Sequence, residues 1–401
     1  MKKGDFSPQN QLRLRFITLC KASTALIGMV FLLEQVLQSQ GTDLNAILQA
    51  VYSFAFIIYL IYAQRIQTLQ MLRQIEVTLR KVKHLKEEAR NQTIKTLVEI
   101  GKPIGDIAPR VDRFIDFFRI GLESMDPAGI VDKMDHFLKT NKHIYESEVK
   151  ALAPNATPVE RNNLENLVEV SQALNIYYKV IRHYYLLGKK TMNIYVIMQV
   201  HMILPQLLQM VEAYSSGIQA FQEGMPIGDG VGPIVAAKLM HGYPQTDVAE
   251  EIVAAEVPYE GRTLVVFKAK GPGGSVGNPD EGLINILKAR KGKVKIIITI
   301  DAAGKLEGEP VGQVSEGIGA AIGGSGKEKF KMEEITTKYK IPMHAVAIKQ
   351  GMEHVVAPLV ETLFDATDKA VEAVKRIIMD YTEPGDVVVI AGIGNTIGVG
   401  Q

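Results

Sequence analysis

The chain alternates between long uncharged apolar runs, runs of helical period, and short apolar strands. The longest uncharged run comes early: residues 46–63, AILQAVYSFAFIIYLIYA, hold no charge and one Gln. At ~1.5 Å per residue such a helix reaches ~27 Å, close to the ~30 Å hydrocarbon core of a bilayer. Tyr52, Tyr59 and Tyr62 suit the interfacial ends of a transmembrane helix. A buried core helix is the alternative. An earlier stretch, 16–37, is apolar without interruption only from 22 to 33, ~18 Å, between Lys21 and Glu34. It reads as a second, short span or as a helix lying in the interface.

Beyond residue 63 the period becomes helical. Leu72, Ile75, Leu79 and Val82 recur at threes and fours as a short heptad seam. Arg80, Lys81, Lys83 and Lys86 resemble a lipid-binding cluster, but Arg80 stands ~25 Å along a continuous helix from Ala63. That exceeds a Debye length of ~8 Å, so they read as solvated faces of a stalk. From 103 to 224 three long segments keep the helical period, with a loop at 151–158, ALAPNATP. The uncharged run 194–211 carries Gln199, His201, Pro205, Gln206 and Gln209. It reads as a core helix kinked at Pro205, with His201 a satisfied core histidine.

After residue 247 the period shortens. Two apolar runs about YEGR predict a hairpin, and VKIIITIDA, MHAVAIKQ and DVVVIAGIG predict further strands alternating with helices. The fold expected is a membrane-anchored α plus α/β protein. It comprises an N-terminal transmembrane helix or hairpin (1–63), a helical stalk (64–102), an all-helical middle domain (103–246), and a C-terminal, mostly parallel α/β sheet of about five strands (247–401).

Charge sets orientation more than it sets partners. Lys plus Arg is 45 against 44 Asp plus Glu, so no net charge draws the chain to nucleic acid or anionic lipid. Lys2, Lys3, Arg13 and Arg15 precede the first apolar segment, Arg65 and Arg73 follow the second, and QSQGTDLN between them has no positive charge. The positive-inside rule then predicts a cell-membrane protein with the bulk of the chain cytoplasmic. The single cysteine, Cys20, excludes a disulfide framework, and the 8 His form no zinc-binding spacing.

Candidate chemistry gathers in three glycine-rich loops that follow strands, and ligands of open α/β sheets bind at that edge. In KAKGPGGSVGNPDEG, Asn278 to Glu281 fit the start of a helix, where Asp280 and Glu281 repel a phosphate. An anion would sit instead on the N–H groups of Gly273, Gly274 and Ser275, near Lys270; the alternative is a tight turn and nothing more. In the second loop, Asp301 ends a strand, and Glu307 and Glu309 follow around Lys305. These acids could hold Mg²⁺ and, through it, a phosphorylated ligand, or be a solvated acidic loop. The third loop, GIGNTIGVGQ, ends the chain. Gly392 and Gly394 would present N–H groups inward, with Asn395 and Thr396 at the tip. It is not a dinucleotide fingerprint, for no helix and no acid follow. Neither a Walker A motif nor a G-x-S-x-G elbow occurs.

Between the helical part and the strands lies MPIGDGVGPIVAAKLM, 225–240. GVGPIVAAKL looks like a helix–hairpin–helix DNA-binding turn, and GDGVGP like a loop of isocitrate and isopropylmalate dehydrogenases. Both are short matches, and Asp229 stands where a phosphate would approach.

Several longer stretches in order, among them KMDHF, IRHY, MPIGDGVGPIVAAKL, KAKGPGGSVGNP, KLEGEPVGQVSEGIGAAIGG and GIGNTIGVG, resemble an archaeal family known as domain of unknown function 1512. The resemblance runs from the 46–63 segment to the end. It implies a membrane-anchored archaeal protein and supplies no reaction, substrate or cofactor; the first 40 or so residues have no counterpart in it. Two function classes stay open. One is a cytoplasmic α/β domain that binds a phosphorylated small molecule or nucleotide, with Mg²⁺ as candidate metal. The other is a membrane scaffold or homo-oligomer paired through the Leu72–Val82 seam, with nucleic-acid binding at 225–240 a lesser alternative.

Overall fold

The computed structural model describes residues 42–119 and 129–400. The segment 16–37 lies outside them. The first helix, α1 (Thr42–Gly101), is continuous for 60 residues. Its interior has neither Gly nor Pro, and it ends where Gly101 and Pro103 stop it. The boundary expected between anchor and stalk therefore falls inside one unbroken helix.

The chain divides into two compact units. The first takes the chain up to Glu76 together with Tyr184–His201. Here Leu72 and Ile75 are buried, and Leu72 and Ile197 close on Gly188. Val82, in the second unit, is also buried. Three positions of the expected seam are thus buried within the chain, and Leu79 is half-buried.

The second unit, Val77–His183 and Met202–Gln401, holds most of the helices and the whole sheet. After the rest of α1 come α2 (Ala108–Ile115) and α3 (Ile130–Leu152). Then follow α4 (Pro158–Thr191) and α5 (Ile194–Glu223), whose facing ends belong to the first unit. Val82, Leu97, Leu167, Leu174, Val211 and Ile218 are buried in the helical part, where Thr93 and Ser171 share a buried hydrogen bond of 2.7 Å.

α5 departs from the core helix expected of 194–211. It is long and apolar enough to cross a membrane, and only 22% of its most apolar stretch is buried. The reason is a one-sided face: Ile197, Val200 and Leu204 are buried, while Tyr195, Met198 and Met202, at helical spacing, are exposed.

Seven strands form one mixed sheet. They are β1 (Gln245–Ala249), β2 (Ile252–Tyr259), β3 (Arg262–Ala269), β4 (Ile296–Gly304), β5 (Val314–Ile318), β6 (Met343–Gln350) and β7 (Val387–Gly392). The order is β1-β2-β3-β7-β4-β6-β5. The four central strands, β3, β7, β4 and β6, are parallel, whereas β1, β2 and β5 pair antiparallel. The sheet is therefore larger and more mixed than the five mostly parallel strands expected. The two strands not expected, QTDVA and VSEGI, sit at the edges, where little burial is needed and no apolar alternation marks them.

Helices cover both faces. On one, α6 (Val231–Met240) and α10 (Glu361–Tyr381) bury Val231, Val235, Ala370 and Val374 against Val266, Ile298 and Ile390. On the other, α7 (Pro279–Ala289) and α8 (Lys327–Tyr339) bury Leu283, Leu287 and Met332 against Phe267, Ile297 and Val389. α6 thus packs in the sheet's core, although the sequence reading placed 225–240 before the sheet domain. A short helix, α9 (Met352–Val355), follows β6.

Candidate functional site

The parallel strands β3, β7, β4 and β6 all end at the same sheet edge, and polar groups collect there. The terminal loop is not frayed. Thr396 is fully buried; its N–H donates to the Ser275 carbonyl (2.9 Å) and its hydroxyl to the Gly273 carbonyl (2.9 Å). Asn395 is buried too. Its amide donates to Asn166 (3.0 Å), and its backbone N–H to the Asp229 carboxylate (2.9 Å). The loops after β3 and β7 therefore meet, and α4 pins them through Asn163, which accepts the Gly274 N–H (2.9 Å), and Asn166, which donates to the Gly274 carbonyl (2.6 Å).

The glycines in this region serve close backbone packing. Gly394 has φ +135°, and a Cβ there would come within 2.0 Å of the Asp229 carbonyl. A Cβ at Gly232 would come within 2.2 Å of the Ile393 carbonyl and 2.5 Å of the Ile300 carbonyl. Positive φ is cheap only for glycine, and neither approach tolerates a side chain. The 3₁₀ turn Gly228–Gly230 and the start of α6 are thereby pressed onto the ends of β4 and β7.

Of the residues expected to take an anion, Gly273, Gly274 and Ser275 line the contact with the terminal loop. The N–H groups of Gly274 and Ser275 already donate within the protein, to Asn163 and to the Gly273 carbonyl. Lys270 lies elsewhere, paired with Asp247 of β1 at 2.9 Å on the surface. Gly392 closes β7, in register with Lys268 and Ile300.

The acids proposed for a metal are not gathered. Glu309 pairs with Lys349 and accepts the Leu306 N–H (2.8 Å). Asp301 accepts the N–H groups of Ala302 (2.7 Å) and Gly323 (3.0 Å). Glu307 joins neither set, and no group of three His, Cys, Asp or Glu is placed to share a metal among the described residues. The second of these bonds explains the small residues of GIGAAIGG. The Ala321 N–H donates to the Thr299 hydroxyl (2.8 Å) as Gly323 does to Asp301, so this segment runs backbone-first along β4.

Three residues at the edge were not among the site residues expected from the sequence. Asp229, half-buried in the 3₁₀ turn, lies close enough to Asp301 for the two charges to oppose each other. Burial, then the Asp229 charge, push the Asp301 carboxyl up to about 8 against its two N–H donors. Burial also raises Asp229, opposed by the Asn395 N–H. Gln350 ends β6; it is 1% exposed, and neither end of its amide has a partner. Its amide oxygen lies against Gly228, where a Cβ would come within 2.6 Å. Lys268, buried at the end of β3, donates to the Ala269 carbonyl (3.2 Å), and burial lowers it to about 8. GDG flagged Asp229 through its flanking glycines, and Lys268 stood out as a charge in the apolar run LVVFKA; nothing marked Gln350. The GDGVGP stretch itself is packed against the sheet, with Ile227, Val231 and Val235 around it buried.

Fold and site together define a helical region joined to a mixed α/β sheet whose two ends, 225–240 and 392–400, lock together. The family whose model carries this arrangement is one of unknown function. Residues 49–224 match the N-terminal domain of the protein of unknown function DUF1512, and residues 227–400 match the DUF1512 C-terminal domain. The chain belongs to the DUF1512 family. No curated protein and no solved structure matches it.

Proposed function

We propose that this chain is a membrane-anchored binding protein whose cytoplasmic α/β domain takes a phosphorylated small molecule at the C-terminal edge of its parallel strands. The observation that carries the binding reading is that Asp229 and Asp301 lie at that edge and oppose each other electrostatically, with no salt bridge to Lys, Arg or His among the described residues. Buried charges and amides left unpaired cost stability and are retained where they meet a ligand. Two carboxylates repel a bare phosphate, so a phosphorylated ligand would reach this edge through a divalent cation.

The anchor reading rests on α1. Val51, Phe54, Ile57, Tyr59, Leu60 and Tyr62 are all exposed, Phe54 at 66%. At about 100° per residue these positions point all round the helix axis. A helix apolar on every side needs either protein or lipid around it, and among the described residues no protein covers it. Tyr195 and Met198 of α5, in the same compact unit, add exposed apolar surface.

A scaffold remains the second reading, favoured by the closure of the glycine loops on one another. Thermal unfolding of the full chain in detergent, with nucleotides and sugar phosphates, with and without Mg²⁺, separates the two. A ligand at 100 times its dissociation constant stabilises by ~2.7 kcal/mol. A shift that needs Mg²⁺ supports the binding reading, and no shift with any phosphorylated compound favours the scaffold. Protease added to right-side-out cells should leave the α/β domain whole; its cleavage there would reverse the topology.

A further inference from the structure

We infer that the turn joining α4 to α5 is a second membrane contact, lying on the headgroups of an anionic lipid surface beside the anchor. The inference rests on the anchor reading above and goes beyond it, because it gives the exposed end of this hairpin an occupant.

The direction of the turn follows from contacts within the first compact unit. Tyr185 is hydrogen-bonded to Glu76, and three residues on, a Cβ at Gly188 would come within 3.6 Å of Leu72. α4 therefore runs towards the low-numbered end of α1. His201 is hydrogen-bonded to Gln74, and Ile197, one turn earlier in α5, closes on the same Gly188. α5 therefore starts from that end, and both helices point their junction at the segment 46–63. The junction is short: Met192 has φ 51°, and Asn193 accepts the Tyr195 N–H (3.0 Å) at the head of α5. At ~1.5 Å per residue, Leu72 stands ~13 Å beyond Ala63 and the turn at Met192 lies ~6 Å nearer, which leaves ~8 Å. The headgroup layer on either side of a hydrocarbon core is ~5–8 Å thick, so the turn reaches it.

What the turn presents fits that layer. Leu186, Met192, Tyr195 and Met198 are exposed, Tyr195 at 70%. A tyrosine, with its apolar ring and polar tip, suits the boundary between lipid and water. Residues 64–76 and 184–201 hold four cations, Arg65, Arg73, Lys189 and Lys190, and one acid, Glu76, in a chain of net charge +1. All four cations are exposed. Lys189 and Lys190 stand within about one Debye length, ~8 Å, of the headgroups, where each is attracted to anionic lipid. A second copy of the chain fits the same surface badly. A two-fold contact would bring these cations against their own kind, and the cores of protein interfaces are depleted of lysine.

The chain has no tryptophan, so one introduced indole reports one place. Tyr195→Trp at the turn and Phe54→Trp in the anchor replace exposed side chains, which keeps the fold. Each full chain is put into vesicles of phosphatidylglycerol and phosphatidylcholine, the latter brominated either near the headgroup or deep in the acyl chains. The Tyr195→Trp indole should be quenched more by the shallow bromine, and the Phe54→Trp indole more by the deep one. Lys189→Gln/Lys190→Gln should lower the quenching at the turn several-fold at low salt, and added salt should do the same with the lysines in place. An unquenched Tyr195→Trp indole beside a quenched Phe54→Trp indole overturns the proposal and leaves the anchor standing; a blue-shifted but unquenched one does so too, since protein then covers the turn. Quenching at the turn without any at Phe54→Trp keeps the lipid contact and overturns the anchor instead. Quenching indifferent to both lysines and salt overturns the anionic surface as the occupant.

Discussion

Two clusters, each of one buried and one half-buried acid, stand in the same compact unit and are treated in opposite ways. At the start of α7 and α8, Asp280 is fully buried, and with Asp135 it faces Lys327, itself 3% exposed, and Lys331. At the strand ends, Asp229 and Asp301 oppose each other electrostatically and form no salt bridge among the described residues, while Lys268 of the same edge donates to the Ala269 carbonyl. The first cluster ties α3 to α7 and α8, and its charges cancel. The second is left uncompensated inside a fold that elsewhere neutralises what it buries. Burial of an acid is therefore not the informative observation here; burial without a counter-charge is.

The largest effect should come from breaking the neutralised cluster. Lys327→Met keeps much of the volume and strands Asp280 and Asp135, at a cost of about 3 kcal/mol, seen as a lower urea midpoint. The same cluster sets the acid limb of stability. Burial pushes the Asp135 carboxyl up, but Lys327 and Lys331 outweigh burial and leave it depressed to about 2. A depressed folded value means stability that is present above the ordinary carboxylate range and lost as pH falls towards 2. Lys327→Met should flatten that acid limb; an unchanged limb would mean that the cluster is not what holds these helices.

Next in size is Gly394→Ala, which forces a Cβ into the Asp229 carbonyl at a positive φ. A cost of about 2 kcal/mol is expected. The change should also weaken a Mg²⁺-dependent thermal shift with a phosphorylated ligand while leaving the acid limb of stability in place, because the lysine cluster does not touch residue 394. Equal disturbance of both would dissolve the distinction between the clusters.

Asp301→Asn should act with the opposite sign. Near neutral pH Asp301 must take up a proton on folding and Asn need not, so the variant stabilises the chain by at least on the order of 1 kcal/mol. Because the folded value of Asp301 is raised to about 8, its stability contribution is full below the ordinary carboxylate range and falls as pH climbs towards 8. The variant should lose that decline, read as thermal unfolding across pH 5 to 8 in EDTA on the order of units the linkage relation expects. A destabilised variant would show that Asp301 serves chiefly to hold Gly323.

How much of this was legible in the sequence depends on how local each cause is. The Val and Ile runs of β3, β4 and β7 announce central strands, because a strand buried on both faces has an unbroken apolar run. The family was legible through several long motifs. β1 and β5 were not, since edge strands need no such pattern. Asp301 was legible as an acid at a strand end. Asp229 takes its meaning from a turn that only the folded chain lays across β4, and Gln350 from an amide whose lack of partners exists only in three dimensions. The glycines were visible but ambiguous: GIGAAIGG and GIGNTIG have the composition of ligand loops, and they serve chain-to-chain approach within the fold.

The smallest effect expected separates the edge from the glycine loop as the place of binding. Lys270 was the cation marked for an anion beside Gly273 and Gly274, yet it pairs with Asp247 in the open, with side chains 46% and 66% exposed. Exposed pairs contribute about 0–1 kcal/mol, and salt screens them further. Lys270→Ala should therefore change stability by less than about 0.5 kcal/mol. More telling is its effect on a Mg²⁺-dependent thermal shift with a phosphorylated ligand. If the ligand is held through the Asp229–Asp301 edge, the shift survives the loss of Lys270, because that side chain is tied to β1 and the Gly274 and Ser275 N–H groups are already bonded within the protein. If the shift disappears with Lys270, the phosphate is held at the glycine loop, which then opens to admit the anion. That outcome would leave the contrast between the two acid clusters intact and move the ligand two strands away, from β4 to β3.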